Sequence, residues 1–368
     1  MRYFSLLVWV VACGAATAAL GADASDPNRL DSFPRLRGFT VPYQADSRLF
    51  HDAAATGANA VRLILSPISS SPNHSEQLWR KMLAQLPAQL QEAREQHLYV
   101  IVSLFNPPSP HPVPTAGKAR DQWFHQFWTD PASEQAMVQQ AVETARVIEP
   151  FGGMVWLELK NEPLDWTDYP QIPHHWAEWA QAIIAAVRQI SEVPIVVQVG
   201  PGGLCGGFST FPRLAGTNLV YSLHNYQPHS YTHQGITQLA GTDLAHPYAP
   251  TAQGWPGRFS ANGEVWNKER LRQEFKPVID FAQKNHVRIY VGEFGVARWA
   301  KNAAAYLQDN LELFEEYGWD WTNHAFREST IWSAEHDDRY SASKDAQLSP
   351  TETDRAKVLK RFLQLNQQ

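Results

Sequence analysis

The chain has 368 residues, 44% apolar and 18% charged, with a net charge of -6. A large core can be buried by such a composition, one big barrel or two ordinary domains would fit the length, and a pI near 6.2 leaves no basic footprint for nucleic acid. The 14 tryptophans offer flat amphipathic rings to something, with the faces of sugar rings among the candidates.

At the N-terminus, Arg2 precedes an apolar run over 3–11, and small residues continue to Ala22. The pattern predicts a signal peptide over residues 1–22, cut after Ala16-Thr17-Ala18 or Leu20-Gly21-Ala22. Its strongly apolar part is shorter than the roughly 20 residues a membrane-spanning helix needs. Val10-Val11-Ala12-Cys13 also reads as a lipobox, although the segment before it is very short for that signal. Ordinary cleavage would leave residues 23–368 as a secreted or periplasmic monomer, not inserted in the membrane. Cys205 would then be the sole cysteine, a small packing residue in the Gly-rich turn 200–207.

Beyond the leader, eight strand-like runs alternate with helical patterns. The strands are expected over 36–41, 59–65, 99–105, 154–159, 194–199, 219–226, 287–291 and 319–326. Helices are expected over 46–56, 75–96, 133–148, 174–190, 264–285, 297–317 and 351–365, with the short connection after the fifth strand the least helical. Runs such as Ala60-Val61-Arg62-Leu63-Ile64-Leu65 are nearly continuous in apolar residues, as parallel strands covered on both faces should be. The alternation predicts an α/β fold, a single (β/α)8 TIM barrel with no linker marking a second domain. The long segments 106–130, 164–173 and 227–263 follow strands and so belong on the C-terminal face. Within them Trp123, Phe124, Phe127 and Trp128 fit a helical stripe packed on the barrel as well as they fit sugar contact. Trp176 and Trp179, three apart on a helix, read as core.

The chemistry is concentrated in Leu159-Lys160-Asn161-Glu162-Pro163 and Tyr290-Val291-Gly292-Glu293-Phe294-Gly295. Each glutamate closes a strand-like run and precedes breaker residues. Two acids at the same ends of two parallel strands suit glycoside cleavage, in which one carboxyl donates a proton and the other stays ionised to attack or to activate water. His224 and Tyr226, two apart on a strand, leave the same face. A tyrosine hydroxyl beside Glu293 can orient that carboxylate, and Arg62 nearby would keep it ionised. Arg62 could instead form a structural ion pair with Glu158, itself read as a buried structural acid. His224 could be a satisfied core histidine, a reading its strand-end position disfavours. His174-His175 diverge on a helix with no third ligand evident, so no metal and no cofactor are expected.

These motifs resemble glycoside hydrolase family 5, the retaining endoglucanase and mannanase barrels. The likeness runs from Arg37-Gly38 to about Trp332, through Asn59-Ala60-Val61-Arg62, Asn161-Glu162-Pro163, His224-Asn225-Tyr226 and Gly292-Glu293-Phe294-Gly295. It implies that Glu162 is the acid/base, Glu293 the nucleophile, and Asn161 a ligand of the sugar 2-hydroxyl. The chain departs from the family in two places. Leu104-Phe105-Asn106 stands where many members carry a histidine, and the eighth strand ends on His324 where a tryptophan platform is usual. Trp332 or Trp321 would then serve as the platform, with Trp332 preferred because it follows the strand. The expected partner is a β-linked oligo- or polysaccharide and the expected reaction endo-β-1,4-glucanase-like hydrolysis. β-Mannanase, β-1,3-glucanase and glycosylceramidase-like activity, or a sugar-binding barrel with little turnover, remain open alternatives.

Overall fold

In the computed structural model, residues 29–68, 74–109, 112–114, 117–236, 248–259, 262–340 and 346–367 are described. The leader and Cys13 lie outside the described residues. The apolar runs become β1 (Arg37–Val41), β2 (Ala60–Leu65), β3 (Tyr99–Leu104), β4 (Val155–Glu158), β5 (Ile195–Gln198) and β6 (Leu219–Asn225). A small antiparallel pair follows, β7 (Gly257–Arg258) and β8 (Val265–Trp266), and then β9 (Arg288–Phe294) and β10 (Asp320–Asn323). Apart from that pair, each strand lies parallel to its neighbours in chain order, and β10 pairs with β1 to close the barrel.

Around it lie α1 (Ser47–Ala55), α2 (His74–Glu95), α3 (Gly117–Thr129), α4 (Pro131–Ile148), α5 (Trp176–Val187) and the short α6 (His229–Thr232). They are followed by α7 (Lys268–Glu274), α8 (Lys276–Asn285), α9 (Ala303–Tyr317) and α10 (Asp354–Leu363). Side-chain acceptors cap several N-termini, Asp46 taking the N–H of Leu49 and Asn267 that of Arg270. No helix among the described residues is long and apolar enough to cross a membrane.

Strand alternation sorts the core into two layers. Val61, Leu63, Val100, Val102, Val197 and Leu223 pack outward against the helices. Ala60, Ile101, Trp156, Val196, Val220 and Tyr290 face inward at the strand starts, covered by Leu30 and Phe33. Farther along, the inward positions turn polar: Arg62, Ser103, Glu158, Gln198, Ser222 and Thr322, all fully buried. That polar layer is the floor of the site.

Three expected elements differ. Residues 264–285 form two helices because Pro277, which has no N–H, sits in the first turn of a new one, where that donor is not needed. The expected loop 106–130 contains α3. After β5 there is only a 3-10 turn, Cys205–Ser209, with Cys205 buried as expected. Packing wins for the aromatic stripe: Trp128 is buried, donates Nε1–H to Leu164 O at 2.8 Å and stacks on Trp179. Trp123 stacks on Phe127, and Trp176 is fully buried.

Candidate active site

A local irregularity turns Glu293 into the barrel. Along β9, Ile289 and Val291 face outward and Tyr290 inward, so strict alternation would send residue 293 outward. The pairing with β6 shifts after Leu223: Leu223 stands opposite Val291, but His224 stands opposite Glu293. Gly292 is the extra residue of this bulge. Glu293 therefore joins Tyr290 inside, and Phe294 packs outward on Phe314. A side chain at 292 would meet His224 Nε2 at 3.0 Å and Ser222 Oγ at 3.2 Å, which explains the glycine.

Arg62 organises the floor. Its Nε donates to Glu158 Oε2 at 2.7 Å and its Nη1 to Glu293 Oε1 at 2.7 Å. Nη2 serves Ser103 Oγ at 2.9 Å and Asn161 Oδ1 at 2.7 Å. Both readings of Arg62 are thus met by one guanidinium, whose planar fork suits two carboxylates at once. Burial alone would lower the pKa of Arg62, but the charges of Glu158 and Glu293 outweigh it and raise it.

Glu293 also accepts from Tyr226 Oη at 2.8 Å and lies 3.7 Å from His224 Nδ1. Burial would raise its pKa, but His224, His324, Arg62 and the Tyr226 hydrogen bond hold it well below the usual carboxylate range. The Tyr226 phenol is pushed well above its ordinary value, first by burial and then by Glu293 and Glu162.

Glu162 sits where the chain leaves β4, with φ at +44°, a left-handed conformation uncommon for a residue with a side chain. Its N–H is held by Gln198 Oε1, and its carboxylate contacts His224 Nδ1 at 2.9 Å. The Glu162 side chain is 41% exposed against 9% for Glu293, so the two acids occupy different surroundings. One carboxylate oxygen of Glu162 lies within 4.8 Å of one of Glu293. Together with His224 they could offer three atoms to a cation, but Arg62 and the His224–Glu162 contact already engage them.

Above the acids opens a cavity of about 750 Å³ lined by Trp166, Tyr169, Tyr248, Phe259, Trp266 and Trp332, among others. Trp332 lies 5.1 Å from His324 and 6.0 Å from Tyr226 between ring centres. Trp321 is not part of this wall. It alternates outward from β10, is fully buried, donates to Glu315 Oε1 at 3.0 Å and packs edge-on against Phe294. Strand phase thus excludes the sugar contact expected for Trp321. Arg62, Asn161, His224, Tyr226 and Trp332 do converge on the two acids.

Sequence reading missed Gln198, Ser103 and Glu328, and gave no role to His229 and His233. Gln198 and Ser103 are inward-phase residues on their strands, a signal that was available. His229 and His233 stack at 4.7 Å and line the cavity. The His229 pKa is lowered by burial, and that of His233 falls well below its ordinary value by burial and by the neighbouring histidines.

Fold and site together place the chain among the (β/α)8 barrels built like glycoside hydrolases. The family model for cellulase, glycosyl hydrolase family 5, matches residues 26–332, and the chain belongs to that family. Endoglucanase C of Acetivibrio thermocellus is 30% identical over 118 residues, covering 27% of this chain and 33% of the relative. Endoglucanase 3 of Fibrobacter succinogenes is 26% identical over 194 residues, 46% of this chain and 29% of the relative. The matches span about a third of these curated relatives. Among solved structures, a glycoside hydrolase superposes with TM-score 0.68 at 20% identity, covering 89% of this chain and 99% of the other. A hyperthermophilic endo-β-1,4-glucanase in complex with substrate gives 0.66 at 18%, covering 87% and 96%. At such identities the likeness concerns the fold.

Proposed function

We propose that the chain is a retaining β-glycosidase that cleaves β-linked glucan internally, as an endo-β-1,4-glucanase does. The observation that supports this reading is that Glu162 and Glu293 face one another across His224 Nδ1, at 2.9 and 3.7 Å, with one oxygen of each within 4.8 Å of the other. Retaining enzymes hold their carboxyls about 5–5.5 Å apart, whereas inverting enzymes leave about 6.5–9.5 Å for a water. Glu293, ionised beside Arg62 and oriented by Tyr226, attacks the anomeric carbon. Glu162 gives its proton to the departing glycosidic oxygen as that bond breaks. The resulting glycosyl ester on Glu293 is then hydrolysed by a water whose proton returns to Glu162. Asn161, its Oδ1 engaged by Arg62, has an amide N–H left for the sugar 2-hydroxyl, and Trp332 serves as the aromatic platform.

This double displacement needs no metal or organic cofactor. Residues 23–368 act as one exported catalytic unit and as a monomer, with 1–22 removed as the leader. The glucan assignment draws on the endoglucanase relatives. Hydrolysis of aryl β-cellobioside, β-glucoside and β-mannobioside tests it: preference for the cellobioside is expected. Preference for the mannobioside would move the substrate to mannan, and inertness toward all three would sink the glycosidase reading.

A further inference from the structure

The histidine that ends β10 holds an unusual place in the hydrogen-bond network. Tyr226 Oη carries one hydrogen and has two partners, Glu293 Oε2 at 2.8 Å and His324 Nδ1 at 2.7 Å. An ionised carboxylate only accepts, so the tyrosine hydrogen belongs to Glu293 and the short contact to His324 requires a hydrogen on Nδ1. The other ring nitrogen, Nε2, lies 2.7 Å from Glu328 Oε2, again an acceptor, and so carries a hydrogen as well. Both nitrogens are donors only in the imidazolium.

We propose that His324 is a positioning residue for the nucleophile: held as an imidazolium by Glu328, it donates Nδ1–H to Tyr226 and commits the tyrosine hydrogen to Glu293. It also places a positive charge 3.6 Å from Glu293 Oε2. The inference rests on the nucleophile role given to Glu293 above.

The groups facing His324 favour this state. Glu293 from β9 and Glu328 from the segment after β10 are anions, and Tyr226 at the end of β6 offers a lone pair. Arg62 from β2 opposes, His233 from the segment after β6 lies close by with its pKa depressed, and Trp332 covers the ring. Burial would lower the imidazole's pKa, but Glu293 and the Glu328 hydrogen bond outweigh it and raise it. When pH rises through that value, Nδ1 loses its proton while Nε2–H stays on Glu328. The tyrosine hydrogen can then turn to Nδ1, and Glu293 loses both its donor on Oε2 and the nearby cation.

The test is the alkaline side of the kcat/KM profile on dinitrophenyl β-cellobioside, whose leaving group needs no proton from Glu162. Wild type should lose activity there, and Glu328→Gln should move that loss to lower pH by about one unit, the effect of removing one adjacent anion. His324→Asn keeps an amide donor near Tyr226 that does not titrate. It should retain activity within about tenfold and show a flat alkaline side, whereas His324→Phe should lose more than that at every pH. An alkaline limb unchanged in Glu328→Gln and His324→Asn, or equal losses in the Asn and Phe variants, would overturn the proposal. Nitrogen-15 NMR of the imidazoles reports the same state without turnover, with the His324 signals assigned from their loss in His324→Asn or their shift in Glu328→Gln. Both ring nitrogens should be protonated near neutral pH in wild type. A neutral ring would refute the His324 role, while absence of hydrolysis with a protonated ring would refute only the glycosidase reading.

Discussion

At the scale of single residues, the two acids differ in what they contact, and their amides should fail differently. Glu293→Gln removes the attacking anion and should abolish turnover of every substrate. Glu162→Gln should leave the first step on dinitrophenyl glycosides largely intact and slow substrates with poor leaving groups by at least about 10²-fold. Equal losses on both kinds of substrate would remove the acid role. Arg62→Ala leaves Glu158 and Glu293 buried without their cation. Breaking such a buried pair costs about 3–5 kcal/mol, to be read by denaturant unfolding, and the acid limb of kcat/KM should move to higher pH. Stability carries a related signature. The Glu293 pKa is depressed in the folded state, so its contribution is present above its unfolded value of about 4.3 and is lost as pH falls toward the folded one. The melting temperature of wild type should therefore fall more steeply than that of Glu293→Gln below about pH 5; parallel curves would contradict this.

At the scale of elements, strand phase decides which residues reach the site. On β10 the alternation puts Thr322 inside, bonded to Tyr290 Oη at 2.5 Å, and Trp321 outside. That phase could have been read from the sequence, and it removes Trp321 from the platform candidates, leaving Trp332, the one already preferred. On β9 simple alternation fails, because the bulge at Gly292 inverts the phase just before Glu293. There the motif, not the periodicity, identifies Glu293. The two tryptophans should separate cleanly. Trp321→Ala removes a fully buried ring and should cost about 3–5 kcal/mol. Trp332→Ala should lower kcat/KM by at least about tenfold while shifting the melting temperature by only a few degrees. Wild-type kinetics in Trp332→Ala would exclude it as the platform. Gln198 and Ser103 were legible as inward positions, but Glu328 was not: its role exists only through the turn that brings it back to His324.

At the scale of the whole molecule, the barrel was legible because eight apolar runs recur with helical patterns between them, and closure follows from parallel pairing of neighbours. What was lost lies in the connections. The helix α3 lay in a segment read as a long loop, signalled only by the helical spacing of Trp123, Phe124, Phe127 and Trp128, and the split at Pro277 looked like one long amphipathic run. The connections after β4, β6 and β10 build the aromatic cavity, so substrate identity was the least legible property, while the paired acids were the most. The central claim is that Glu162 and Glu293 are close enough for a covalent double displacement. Proton NMR of the anomer first released from a β-linked cello-oligosaccharide tests it directly. The β-anomer should appear first and mutarotate later; first release of the α-anomer would mean inversion, and Glu293 would not be the nucleophile.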